Sequence, residues 1–409
     1  MHKKRPLKIA YLFTTFPVSS ETFLQREIRA MRMLSVKFQI YSAFKGKKKW
    51  EGLPIKCFKL YSLPLLLYWL PYWCFRKPFE LNCILQFMLN RSFPNFINLS
   101  ENLLGLSFAL IYARFFEKNQ PDHFHAVWAS MPATIAFTLN KLLGISYSTG
   151  AHAYDIFEDG GDWLLIEKIK SAAFIHVSTY NALNHIKTIL PKNCHHRIKH
   201  IRRGLSEMPI FNLKKLDRSF MNILSIGRLV EKKGYFHQLR IYQSLVEAGF
   251  QFKAHILGEG PLKEKLIEAR DSLGLKKYVR FLGHGSTKIV KQQYQWANFF
   301  FFTGIISPNG DRDGLPNVVP EAMANGLFVI TTPGSGGVLE AIKDNITGFV
   351  CPIDNPDIWI NVIRKIFNNS IWSNSIRVKS RQWVELNFNA HKNAFKLLNY
   401  FQEFSKSIN

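Results

Sequence analysis

The chain has 409 residues, too many for one hydrophobic core, so two domains are expected. A hydrophobic share of 47% excludes global disorder, and a net charge of +25 suits phosphate-rich partners such as nucleic acid, anionic lipid or phosphorylated substrates. Aromatic residues at 14%, with 35 Phe, favour lipid over nucleic acid among these. Five cysteines (Cys57, Cys74, Cys83, Cys194, Cys351) are scattered, odd in number and without C-x-x-C spacing. That argues against a disulfide framework or a zinc site and fits a reducing, cytoplasmic compartment.

The opening MHKKRPLKIAYLF is basic and then apolar. Its apolar run is short and passes into TTFPVSSETF without a small-residue cleavage site, so it reads as a basic tail before a first core strand over 8–14. The loop FPVSS and a helix beginning ETFLQREIRAMRML follow, with Ser20 as N-cap. Strand, loop and helix in this order have the phosphate-side geometry of a doubly wound sheet. KFQIYSA is a second strand, and the basic KGKKKW after it reads as a solvated loop.

From 57 to 116 the chain turns apolar and aromatic. Tyr61 to Phe75 is interrupted by Pro64 and Pro71 and falls short of the ~20 apolar residues a spanning helix needs. Tyr and Trp beside Arg76 and Lys77 match an interfacial membrane segment, while helices that cover the first sheet would share this composition. Both readings stand on the sequence. His123 and His125 have strand spacing and read as structural, since no further metal-ligand pattern follows. His152 stands where a strand ending at Gly150-Ala151 turns into a loop, the place where α/β sites lie, and Asp155 beside it has the chemistry of a turn cap. A further strand and helix lead to a basic strand, the turn Arg203-Gly204 and a linker over 208–219.

The second half opens with the buried strand NILSIG, then a loop carrying Arg228 and Lys233, then a helix. GEGP and GHGS close two more strand-turn units, and WANFFFFTG is another buried strand. It leads into DRDGLPNVVPEAMANGLFVITTPGSGGVLE, where Asp313 and Glu321 are separated by seven residues. Pro316 fits the first turn of a helix carried by NVVPEAMAN and ended by Asn325-Gly326. That would put Asp313 just before the helix N-terminus and Glu321 one to two turns inside. The N–H groups of Gly314 and Leu315, with the helix dipole, would then form an anion site. Asp311-Arg312-Asp313 spells a D-x-D, but no strand ends on it as metal binding would need, so no metal is expected.

Four of these stretches carry a resemblance: FPVSSETFLQREI, AHAYDIF, GRLVEKKG and the acidic pair followed by A-M-A-N-G. Together they resemble the retaining glycosyltransferases of family 4, and among them enzymes of bacterial exopolysaccharide, colanic-acid and lipopolysaccharide synthesis. Asp313 stands where Glu is common, the Gly-Gly turn frequent in the first loop is absent, and Arg203-Gly204 keeps only part of an N-G-V/I-D turn. The resemblance implies a GT-B fold, two Rossmann-like doubly wound domains facing a central cleft. Their expected bounds are 1–210 on the acceptor side and 211–385 for nucleotide-sugar binding, with a helix over 386–409 packing back on the first. It implies that Glu321 holds the ribose hydroxyls, that Asp313 lies beside the donor sugar, and that Arg228 and Lys233 grip the diphosphate. His152 would approach the donor sugar or the acceptor.

The implied reaction moves a sugar from a nucleotide-diphosphate-sugar to a lipid-linked or polysaccharide acceptor with retention, with no metal or cofactor. The leaving diphosphate gains charge as the bond breaks, so fixed cations stabilise the transition state more than the ground state. The expected setting is peripheral, on the inner face of the cell membrane, with an anionic membrane surface as partner and no nucleic acid. Two other readings remain: a sugar-nucleotide epimerase of the same architecture, and a basic non-catalytic adaptor for membrane or polyanion.

Overall fold

The computed structural model describes every residue except 1–5, 19–20, 35, 45, 212, 214–215, 218, 335 and 406–409. The expected N-cap Ser20 lies outside the described residues. The chain divides into two compact units, 1–206 with 390–409, and 207–389.

Unit 1 contains an eight-stranded sheet: β1 (Lys8–Phe13), β2 (Lys37–Ser42), β3 (Lys49–Trp50), β4 (Leu53–Cys57), β5 (His123–Ala126), β6 (Tyr147–Gly150), β7 (Phe174–Val177) and β8 (Ile198–His200). Their order is β3-β4-β2-β1-β5-β6-β7-β8, parallel throughout except for β3 against β4. From β1 the chain builds outward through β2 and β4, then returns to add β5 to β8 on the other side. The point of reversal lies between β1 and β5, which pair Ile9 with His123 and Tyr11 with His125. Such sheets are buried on both faces, and β1 shows it: Ala10 and Leu12 enter one core cluster, Ile9, Tyr11 and Phe13 the other.

The first face is covered by helices Leu66–Arg76, Pro78–Leu89, Phe96–Lys118 and Met131–Leu143. Trp73, Leu81, Ile84, Phe108 and Phe116 are buried there, so the inner side of the 57–116 segment covers the sheet. Helix Phe96–Lys118 is long and apolar enough to cross a membrane by length and composition. Its Gly105 nevertheless lies against Met131 and Thr134 so closely that an added Cβ would stand 3.2 Å from Met131, and it packs here as a core helix. A buried polar knot ties it down: Lys168 pairs with Asp162, which also accepts from Asn98 and Asn102, while Thr134 donates to Asn102. The opposite face is covered by helices Thr22–Arg32 and Ala390–Ser405, and Phe401 of the latter meets Tyr11, His125 and Phe174.

Unit 2 contains a six-stranded parallel sheet: β9 (Met221–Ile226), β10 (Phe252–Leu257), β11 (Val279–Gly283), β12 (Phe299–Phe302), β13 (Phe328–Thr331) and β14 (Phe349–Val350), in the order β11-β10-β9-β12-β13-β14. Here the reversal lies between β9 and β12. The four phenylalanines of β12 are all buried, and Phe301 packs on Trp359 of helix Pro356–Asn368 at 5.1 Å. In sheets of this kind ligands settle beyond the carboxyl ends of the strands at the point of reversal. Both units therefore have an edge at which chemistry is expected.

Candidate active site

In unit 2 the segment after β9 lies directly over the end of β12. A Cβ on Gly234, which has φ +64°, would sit 2.0 Å from the Thr303 carbonyl oxygen, so only glycine permits this crossing. Thr303 Oγ1 donates to the Lys233 carbonyl at 3.0 Å, and Ile305 N–H donates to the Lys232 carbonyl at 2.9 Å. Side chains repeat the same tie. Lys233 Nζ lies 2.7 Å from Asp313 Oδ2, and Lys232 Nζ lies 2.8 Å from Asp311. Both lysines are largely buried, at 10% and 7% side-chain exposure. Burial pushes the Lys233 amine below its ordinary range, and the Asp313 carboxylate opposes that shift. Lys233 also stands 5.0 Å from the Phe302 ring centroid. Arg228, just beyond β9, is exposed, and its charge reaches Lys233. The two aspartates of the D-x-D thus answer separate lysines, and among the described residues no group of three potential ligands could hold a metal ion.

The helix after this loop is shorter than expected. It spans Val318–Ala324, with Asn317 as N-cap. Pro316 precedes it, and the Pro316 carbonyl accepts from Val319 N–H at 3.0 Å. Gly314 and Leu315 therefore belong to the loop, before the N-cap Asn317, and are not the N-terminal N–H groups of the helix. The physical reason is the proline, which keeps Leu315 out of helical geometry, while Pro320 occupies the early turn that tolerates a missing N–H. Glu321 accordingly falls in the first helical turn. Its Oε2 lies 3.0 Å from the Tyr294 hydroxyl, which also stands 3.2 Å from the Val318 carbonyl.

In unit 1 His152 follows β6 by two residues and is 4% exposed. A Cβ on Gly150 would fall 2.3 Å from the Val127 carbonyl oxygen, so glycine lets β6 deliver His152 against the loop after β5. Asp155 organises that turn by accepting from the N–H groups of Ala129, His152 and Ala153 at 2.9, 3.1 and 2.8 Å. It is a turn cap. His152 Nε2 lies 2.6 Å from Arg203 Nη2, and Arg203 Nη1 lies 2.6 Å from Glu27 Oε2. A guanidinium offers only donors, so Nε2 must accept and the ring proton sits on Nδ1. That Nδ1 has no hydrogen-bond partner among the described residues. Burial and the adjacent Arg203 charge hold the imidazole well below its ordinary range, and it is neutral at working pH. His123 and His125 are buried and bond Ser146 and Ser148, a structural arrangement.

The structure thus joins Lys233 to Asp313 and places Arg228 and Glu321 on the segments leaving neighbouring strands. Glu27, Arg203, Lys232, Asp311 and Tyr294 belong to these networks. The sequence marks Arg203 only as part of a turn and Asp311 only as part of a D-x-D, and gives Glu27, Lys232 and Tyr294 no site role. Glu27 did leave a signal: it lies among Leu24, Ile28 and Met31 at helical spacing, a charge on the buried stripe.

Residues 213–383 match the family model described as glycosyl transferases group 1. The amylovoran biosynthesis glycosyltransferase AmsK of Erwinia amylovora is 29% identical over 197 residues, 48% of each chain. The putative colanic acid biosynthesis glycosyltransferase WcaL of Escherichia coli K12 is 31% identical over 132 residues, 32% of each chain. The chain spans about half the length, or less, of these curated relatives. Among solved structures, Anabaena Alr3699/HepE in complex with UDP and glucose superimposes with TM-score 0.72 at 13% identity, covering 97% of this chain and 100% of that one. The lipopolysaccharide outer core galactosyltransferase WaaB in its apo form gives 0.66 at 16% identity, covering 98% and 100%. At such identities the likeness establishes the fold, which is GT-B.

Proposed function

We propose, for a chain of GT-B fold whose residues 213–383 match the glycosyl transferases group 1 family, that it is a retaining glycosyltransferase. It moves a hexosyl group from a nucleotide-diphosphate-sugar to a lipid-linked or polysaccharide acceptor in cell-surface polysaccharide synthesis. The observation that carries this reading is the Lys233–Asp313 pair at the point of reversal in unit 2, with Arg228 exposed beside it. In the donor-free state Asp313 holds the buried ammonium. A diphosphate oxygen competes for the same ammonium, leaving Asp313 to accept from sugar hydroxyls. Arg228 and Lys233 together neutralise the leaving diphosphate, so the reaction needs neither a metal ion nor a cofactor. Glu321, aligned by Tyr294, accepts from the ribose hydroxyls. In unit 1 His152 Nδ1–H donates to a hydroxyl of the donor sugar or the acceptor. Free cysteines and a nucleotide-sugar substrate fit a cytoplasmic setting at the inner face of the cell membrane.

The test is a thermal-shift screen of UDP-, GDP- and ADP-sugars, then transfer assays with membrane extract on wild type, Glu321→Ala and Lys233→Ala. Glu321→Ala is expected to raise the donor Kd about tenfold to a hundredfold, and Lys233→Ala to lower kcat by a similar or larger factor. Undiminished transfer in both variants overturns the site. An epimerised sugar nucleotide from donor alone, with no transfer, replaces the reaction.

A further inference from the structure

Fourteen of the twenty-six large hydrophobic side chains exposed among the described residues lie between Leu60 and Leu103. Singly scattered apolar residues are ordinary on a surface, whereas this concentration marks a docking face. The exposed positions follow helical stripes. On helix Leu66–Arg76 they include Leu67 at 86% and Phe75 at 91%, on helix Pro78–Leu89 Phe79 and Leu89 at 85% each, and on helix Phe96–Lys118 Phe96 at 79% and Ile97 at 74%. Each helix therefore has two apolar faces. One is sunk in the core with Trp73, Leu81, Ile84 and Phe108, and the other faces outward.

Cations frame the outward face. Between residues 52 and 118 there are seven Lys and Arg against three Asp and Glu. Arg76 and Lys77 stand where the first helix meets the second, and Arg91 stands between the second and third. Each pairs with a carboxylate, Glu117, Glu80 and Glu167 respectively, yet their side chains stay 39%, 38% and 45% exposed. Lys59 lies over the exposed Tyr61 ring at 5.4 Å. Aromatic and aliphatic side chains between half-exposed cations match the boundary between acyl chains and anionic headgroups.

We infer that the outward face of helices Leu66–Arg76 and Pro78–Leu89, with the first turn of helix Phe96–Lys118, is a monotopic membrane-docking surface that inserts its apolar side chains into one leaflet of an anionic bilayer. A spanning arrangement is not required, because the inner faces of the same helices belong to the unit 1 core. The inference specifies where the proposed enzyme meets a membrane but rests on unit 1 alone. It is read without donor or acceptor, so its failure is separable from failure of glycosyl transfer.

The experiment is vesicle flotation of the full chain, with sedimentation velocity in vesicle-free buffer. Wild type is compared with the triple variant Leu67→Ser, Phe75→Ser, Phe79→Ser. These sites are exposed, and unchanged thermal unfolding certifies the fold of the variant. Wild type is expected to float with phosphatidylcholine vesicles containing phosphatidylglycerol, and less with phosphatidylcholine alone. The triple variant is expected to lose partitioning by about tenfold or more. Absence of wild-type flotation, or equal flotation of the variant, overturns the inference. So does a wild-type dimer that the three substitutions dissociate, since the face would then be an interface between two copies.

Discussion

His152 illustrates how one neighbour decides what a residue can do. A buried imidazole could carry its proton on either nitrogen, but the Arg203 guanidinium 2.6 Å away cannot accept, so Nε2 accepts and Nδ1 donates. Glu27, bonded to Arg203 at 2.6 Å, balances the guanidinium. Arg203 is therefore a positioning residue. In Arg203→Met the repulsion that helps keep His152 neutral is gone, so its proton affinity rises towards the ordinary histidine range. The pH–rate profile is expected to gain an acid limb absent from wild type, and the ring nitrogen shifts to report both tautomers. Because Glu27 would be left buried without its cation, with only the Tyr11 hydroxyl among the described residues donating to it, at a cost of about 3–5 kcal/mol, the double variant Glu27→Gln, Arg203→Met is the better-folded companion. An unchanged profile and unchanged shifts in both variants would remove the positioning role. Asp313 and Lys233 were legible as chemistry-bearing residues because their types and spacing are local. Their mutual pairing was not, since it joins positions 80 residues apart.

At the scale of elements, buried polar ties decide how helices sit. Lys168 is fully buried and pairs with Asp162, with Asn98, Asn102 and Thr134 completing the knot beneath helix Phe96–Lys118. Removing one partner, as in Asp162→Leu, leaves a buried ammonium and is expected to cost about 3–5 kcal/mol by denaturant unfolding. The double change Asp162→Leu, Lys168→Met is expected to cost less than the single one, because desolvation of two charges is lifted together. The helix after Asp313 shows the converse limit of local reading. Two prolines four residues apart each fit an early helical turn, and the observed start of the helix at Val318, with Asn317 as N-cap, puts Pro320 in its first turn and Pro316 just before it. With that, Gly314 and Leu315 move from a helix terminus to a loop.

For the whole molecule, the histidines buried in the unit 1 sheet contribute to the response to acid. His123 and His176 are each pushed down to about 3, mainly by burial, from an ordinary value near 6.5. Between these limits the unfolded chain binds more protons than the folded one, so stability is full above about 6.5 and is lost as pH falls towards 3. Each histidine is expected to contribute about 1.4 kcal/mol of loss per pH unit, seen as a falling unfolding temperature that His123→Gln makes shallower. The family resemblance supplied the pairing of two doubly wound units; the sequence by itself determined strand-loop-helix units in both halves, the loops that carry Arg228, Lys233, Asp313 and His152, and a basic, aromatic-rich composition. These follow from apolar runs, turn residues and charge, all of which act over short stretches of chain. Only the tertiary structure decided which side of the helices between 66 and 103 faces water, that Asp313 and Asp311 each answer a lysine, and that Arg203 and Glu27 stand behind His152. Those outcomes depend on residues far apart in sequence meeting in space at the ends of parallel strands, where pairing and burial, not periodicity, set the energy.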